Sequence, residues 1–245
     1  MTRWKVCVFL TGVYLAAATD AVFAVLIDQQ VTVTAKVDLS AGSSKQPADA
    51  SGVVVWLAPL ENQPDVKPPS RPPHRQMLQK NKTFSPHLLV VQVGSPVDFP
   101  NQDPFFHNVF SLFEGKRFDL GLYEAGATRP VVFNKPGISY IFCNIHPEMS
   151  AVVIALTTPY YGISQRNGSI EIPNVPPGRY ELYVWHERVL PETLKNLTHA
   201  VVISEESSSL GVIHLAEQRS LSQSHKNKYG KDYDPLPEGT AYPKP

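Results

Sequence analysis

The chain is poor in cysteine, with 2 among 245 residues. Cys7 lies in an N-terminal stretch where Arg3 and Lys5 precede an apolar run over residues 6–18, with small residues at Ala21 and Ala24. That is the layout of a secretory signal peptide, so residues 1–24 are assigned to a signal and the mature protein to a secreted or periplasmic compartment. The apolar run is short for a membrane span and Asp20 interrupts it, so no span is expected once the signal is removed. Cys7 lacks the small-residue surroundings of a lipid-attachment cysteine and goes with the signal. Cys143 is then alone, which excludes an internal disulfide and leaves a buried spectator, a reactive thiol or a metal ligand.

Surplus charge is absent too. The chain carries 22 basic and 22 acidic residues; without Arg3, Lys5 and Asp20 these become 20 and 21, a net of −1. Such a balance offers nothing that would attract nucleic acid. Helical periodicity is missing apart from a weak candidate over residues 191–197. Methionine is scarce as well, with 3 residues including the initiator.

What the chain has in quantity is strand signal: β-branched and aromatic residues in short runs punctuated by Pro, Gly and Asn. Its mature length of roughly 220 residues allows one large or two small domains. Residues 31–37 alternate, and 52–57 form a second apolar run. The stretch ENQPDVKPPSRPPHR, residues 61–75, carries five prolines without periodicity and reads as a linker. Beyond it, residues 88–93, 97–99, 109–112, 129–133, 139–142 and 151–156 each suit a short strand. Past residue 157, Asn167-Gly168 and Pro176-Pro177-Gly178 mark turns between alternating strands. Residues 28–60 supply only two strands, too few to bury a sheet face alone, and 160–216 supply three or four more, so both pieces are expected in one sandwich. From Gln218 the chain turns polar, and residues 218–245 are expected to form a disordered tail. The fold class is all-β.

The densest chemistry lies in FCNIHPEM, residues 142–149, where Cys143, His146 and Met149 stand three apart. A thiolate and an imidazole on one tight loop can face a single ion, with a thioether along a perpendicular direction. Upstream, NQDPFFHNVFS places His107 between a turn and a strand, able to meet that ion from elsewhere in the fold. Two His, one Cys and a weak Met form the donor set of a mononuclear blue copper site. Glu148 is the rival axial donor. Phe105 and Phe106 suit either a core or an apolar rim beside His107. Among the other histidines, His74, His87, His199, His214 and His225 read as structural or solvated. His186, beside Glu187, lacks the further ligands a metal needs. The sequons at Asn81, Asn167 and Asn196 matter only in a source that glycosylates its exported proteins.

With these residues in place, KNKTFSPHLLVVQVGSPVDFPNQDPFFHNVFS followed by PGISYIFCNIHPEM resembles a cupredoxin over about residues 74–157, through its F-x-P, G-x-x-V-x-F-x-N, H-N and C-x-x-H-x-x-M signatures. The two-residue spacer between His146 and Met149 is similar to the short loop of the amicyanin type. The resemblance implies a Greek-key β-sandwich over residues 70–157 with one type 1 copper. It implies His107, Cys143 and His146 as the trigonal ligands, Met149 as the axial one, and Asn108 as a hydrogen-bonding brace for the Cys143 loop. The flanking VVVWLAPL and GSIEIPNVPPGRYELYVWHE resemble a carboxypeptidase-regulatory or transthyretin-like module, a second, smaller sandwich over residues 25–69 and 158–217 into which the cupredoxin is inserted. The whole is similar to methylamine-utilisation or plastocyanin-like proteins.

The function so implied is one-electron transport by an exported blue copper protein between redox partners, of which a dehydrogenase or a cytochrome is the expected kind. Enzyme activity is not expected, since oxygen chemistry on copper uses His-x-His pairs, which this chain lacks, and a dinuclear centre needs a second cysteine where Pro147 stands. The alternatives are a copper carrier, which usually exposes many Met and His ligands, and an extracellular module using its β-sandwich for carbohydrate or protein contact.

Overall fold

The structure is a computed structural model that describes residues 30–40, 49–60, 74–112, 114–217 and 226–233. The expected signal and all of the linker but its last two residues lie outside these. Among the described residues the chain is nearly all strand, with one short helix. Strands β1 (Val31–Ser40) and β2 (Val54–Pro59) come first. The middle of the chain gives β3 (Arg75–Gln76), β4 (Leu78–Lys80), β5 (Thr83–Ser85), β6 (Leu88–Gln92), β7 (Ser95–Pro100), β8 (His107–Ser111), β9 (Phe118–Tyr123), β10 (Thr128–Phe133), β11 (Gly137–Cys143) and β12 (Ser150–Leu156). Then follow β13 (Tyr161–Ile163), β14 (Ser169–Val175), β15 (Gly178–Trp185), helix α1 (Pro191–Asn196), β16 (His199–Ile203) and β17 (Ser209–Ala216).

Pairing sorts these into two groups. Strands β6-β12-β11-β8-β9 form one sheet and β10-β7-β3 another, while β4 and β5 make a hairpin. The first and last parts of the chain share the other two sheets, β14-β1-β17 and β13-β2-β15-β16. Each pair of sheets closes on its own apolar cluster. Phe99, Val109, Phe133, Ile141 and Val153 fill the first. Val33, Val55, Ile172, Tyr180 and Leu182 fill the second.

Strand periodicity explains how a third cluster arises between them. Side chains alternate faces along a strand, so Ala151, Val153 and Ala155 of β12 point into the first cluster while Val152, Ile154 and Leu156 point the other way. Likewise Val55 and Leu57 of β2 face the second cluster, leaving Val54 and Trp56 to meet β12. Hence β12, parallel to β6 and antiparallel to β11, reads as the uninterrupted run SAVVIAL: it is apolar on both faces because both are covered. Each fully buried branched side chain there contributes about 1.5–3 kcal/mol.

The turn at Asn167-Gly168 is enforced by space as well as by backbone angle. Gly168 has φ +83° and a Cβ there would come within 2.2 Å of the Val37 carbonyl oxygen, so only glycine fits. Helix α1 begins with proline in its first turn and matches the weak signal at 191–197.

Three expectations change. Arg75 and Gln76, at the end of the supposed linker, pair with β7 as a parallel edge strand. Strand β9 is an addition to the expected strands: FDLGLY carries no alternation, and it pairs at a sheet edge with a register shift against β8. Residues 226–233, expected within a disordered tail, are seated on the middle of the protein by hydrogen bonds to Asn144, Asp119 and Cys143.

Candidate metal centre

Strands β8 and β11 are antiparallel neighbours, with Cys143 opposite Val109. Cys143 closes β11 on the inward-facing register of Ile141, and His107 opens β8; both are fully buried. The chain then makes a tight loop. The Asn144 N–H donates to the Asn108 carbonyl at 2.9 Å, the Met149 N–H to the His146 carbonyl at 3.1 Å, and the Cys143 N–H to the Met149 carbonyl at 3.2 Å. These bonds fold the loop back so that His146, 5% exposed, faces Cys143 and His107.

The result is a triangle of donor atoms. Cys143 Sγ lies 3.6 Å from His107 Nδ1 and 3.6 Å from His146 Nδ1, and the two ring nitrogens are 3.2 Å apart. Imidazole and thiolate ligands sit about 2.0–2.3 Å from a first-row ion, which puts in-plane donors about 3.5–3.7 Å apart, so one ion fits among these three. They are the metal-capable group of His, Cys, Asp and Glu among the described residues.

Asp103 decides which nitrogen of His107 is free. Its carboxylate accepts a hydrogen bond from His107 Nε2 at 2.8 Å, which places the ring proton there and leaves the Nδ1 lone pair for the triangle. Asp103 is itself held by the N–H groups of Asn81, at 2.6 Å, and Lys82, at 2.9 Å. Burial pushes its carboxyl up, but these N–H groups and His107 outweigh that and bring it below the usual carboxylate range. Burial lowers the pKa of His107 despite Asp103. Burial and the neighbouring His107 lower His146 to about 4. The Cys143 thiol is pushed up by burial, while the N–H groups of Asn108, Ile145 and His146 donate to its sulfur and oppose the rise. The imidazoles are therefore held neutral, as ligands must be.

Of the residues named from sequence, His107, Cys143 and His146 come together in this way. Met149 is fully buried in the apolar cluster that contains Cys143. Glu148 is exposed. Phe105 packs on both imidazoles, with ring centroids 5.3 Å from His107 and 5.4 Å from His146. Phe106 and Ile145 stand exposed at 53% and 38% beside the loop. Asn108 braces the loop, but through its backbone; its side chain donates to Asp119, at 2.6 Å, and to the Gly121 carbonyl, at 3.0 Å, fixing β9 instead.

The C-terminal segment completes the surroundings. The Tyr233 hydroxyl donates to the Cys143 carbonyl at 2.7 Å, the Lys228 N–H to Asn144 Oδ1 at 2.9 Å, and the Lys228 ammonium to Asp119 at 2.9 Å. Sequence reading missed Asp103, Lys228 and Tyr233. Asp103 gave a signal, four residues before His107 in a proline turn. The other two lie 84 and 90 positions from the loop residues they bond and gave none.

Solved structures resemble about a third of the chain. The purple cupredoxin of Nitrosopumilus maritimus matches over 34% of this chain and 99% of its own, at 24% identity and a TM-score of 0.31. A mutant of amicyanin in its Cu(I) form matches over 36% of this chain and 95% of its own, at 17% identity and a TM-score of 0.32. The copper-containing nitrite reductase of Thermus scotoductus matches over 35% of this chain, at 24% identity and a TM-score of 0.33, and the match spans 23% of that enzyme. No family model and no curated protein matches the chain. No helix among the described residues is long and apolar enough to cross a membrane.

Proposed function

We propose that the protein is an exported carrier of single electrons, with one copper held by His107 Nδ1, Cys143 Sγ and His146 Nδ1 and with Met149 as the weak axial donor. The observation that carries this reading is the triangle of the two ring nitrogens and the sulfur at 3.2–3.6 Å. Copper bound there supplies a one-electron couple. The chain supplies the rest. Asp103 fixes the tautomer of His107, three N–H groups support a thiolate at Cys143, and burial keeps both imidazoles neutral. Loop and strand hydrogen bonds hold the donors in one arrangement, so an electron can come and go with little rearrangement.

Met149 is preferred to Glu148 because it is buried with Cys143 whereas Glu148 is exposed. The exposed Phe106 and Ile145, with Pro147, form a small apolar patch over His146, suited to brief encounters with a redox partner. Residues 25–69 and 158–217 are read as one sandwich interrupted by the copper-binding unit at 70–157, in line with the sheets that β1 and β2 share with β13–β17.

A reversible one-electron wave, obtained repeatedly without release of copper to a chelator, is the expected result of voltammetry on the copper-loaded protein. Copper lost on each reduction would favour a carrier of the metal rather than of electrons.

A further inference from the structure

A cleft of about 750 Å³ opens between β15, helix α1 and the outward face of β11, on the side of that strand away from the donor triangle. Its volume is that of a small-molecule site. Trp56 and Tyr183, opposite each other on β2 and β15, stack there with ring centroids 5.1 Å apart and planes 7° from parallel. Tyr140 and Trp185 extend the aromatic wall.

The polar lining is one-sided. Glu114 and Glu148 face the cleft against a single ammonium, Lys195, while the third carboxylate in the lining, Glu187, is bonded to His87 at 2.7 Å. His186 also lines it at 5% exposure, and its Nδ1 is sealed off without a hydrogen-bond partner. The other ring nitrogen is therefore the one left to meet a ligand. Burial, and after it Arg188, hold the His186 pKa down to about 4, so this ring does not repel a positive charge. A buried polar atom without a partner costs about 1–3 kcal/mol, a sign of a group kept for something other than stability.

Aromatic faces are negative at their centres and attract cations most strongly where water is excluded. Carboxylates at the rim add to that field, and the flat stacked pair offers apolar surface to the ligand's body. We infer that the cleft binds a small organic ammonium ion with an apolar or aromatic body, its charge set against Trp56, Tyr183 and the carboxylates of Glu114 and Glu148. A neutral sugar would use the aromatic surface but would gain little from a surplus of carboxylates.

Trp56 and Trp185 are two of the chain's 3 tryptophans, the third being Trp4 in the expected signal, so intrinsic fluorescence of the mature protein reports on this cleft without any metal. The protein is titrated with 2-phenylethylammonium and, separately, with the uncharged 2-phenylethanol of the same shape. Saturable quenching is expected with the ammonium, at least about tenfold tighter than with the alcohol, as one desolvated cation–aromatic contact implies. Glu114→Gln should weaken the ammonium several-fold and leave the alcohol unchanged, and Tyr183→Ala should weaken both. Equal affinity for the two probes, no saturable response to the ammonium, or a response to a cello-oligosaccharide alone would overturn the assignment. The wild-type comparison stands even where a variant fails to fold.

Discussion

A single carboxylate sets the chemistry of the first histidine. Asp103 takes the Nε2 proton of His107 and is in turn tied to the Asn81 and Lys82 N–H groups, so it orients the ring from a fixed point. Asp103→Asn keeps the size but removes the charge, and copper affinity in a competition assay is expected to fall about 10–100-fold, the usual effect of losing a partner that orients a ligand. An unchanged affinity would mean that packing against Phe105 alone positions the ring. The proposed ligands stand out in sequence because their order is local: Cys143, His146 and Met149 fall within one loop, and His107 with Asn108 opens a strand. Asp103 was not, since an aspartate before a proline reads first as a turn former. Asn108 was expected to brace the loop by hydrogen bonding, and it does so through its backbone carbonyl, a choice of atoms that sequence does not specify.

At the scale of elements, strong apolar runs were readable and marginal ones were not. β12 announced itself as an uninterrupted apolar run, whereas β9, with Asp119 and Gly121 in the middle of six residues, depends on β8 for its existence. The C-terminal segment is the extreme case. It has no periodicity, and three hydrogen bonds to residues far along the chain hold it in place. Removing the Tyr233 hydroxyl by Tyr233→Phe leaves the part-buried Cys143 carbonyl without that donor, and the metal-free protein is expected to lose about 0.5–1.5 kcal/mol. Urea unfolding measures this directly. A variant as stable as the wild type would show that the carbonyl finds water instead and that the segment does not steady the loop.

Across the whole molecule, the two groups of sheets meet through the apolar seam of Val54, Val90, Val152, Ile154, Leu156 and Trp185. One ionic link crosses at the seam's edge: His87, at the start of β6, bonds Glu187, just after β15, at 2.7 Å. The hydrogen bond to Glu187 raises the His87 pKa above 6.5, more than burial lowers it, and the same bond brings Glu187 below 4.5. The stabilisation due to His87 is therefore complete below its unfolded value of about 6.5 and fades as pH rises through the raised value. That due to Glu187 is complete above about 4.5 and fades in acid. Both side chains are partly exposed, so the link is worth under about 1 kcal/mol. The melting temperature of wild type relative to His87→Gln should be highest between these limits and converge toward the variant's at pH 9; a difference independent of pH would assign the effect to packing. The seam also explains why the cleft beside it could not be read from sequence: Cys143, His146 and Met149 lie in one motif, but Trp56, Tyr140 and Trp185 meet only after the sheet of β2 and β15 has packed against the sheet of β11. The most direct test is the colour of the protein loaded with Cu(II). An intense visible band from thiolate-to-copper charge transfer is expected, lost in a Cys143→Ser variant that keeps the wild-type fold by circular dichroism. A colourless wild-type complex would contradict the proposed His107, Cys143, His146 and Met149 site.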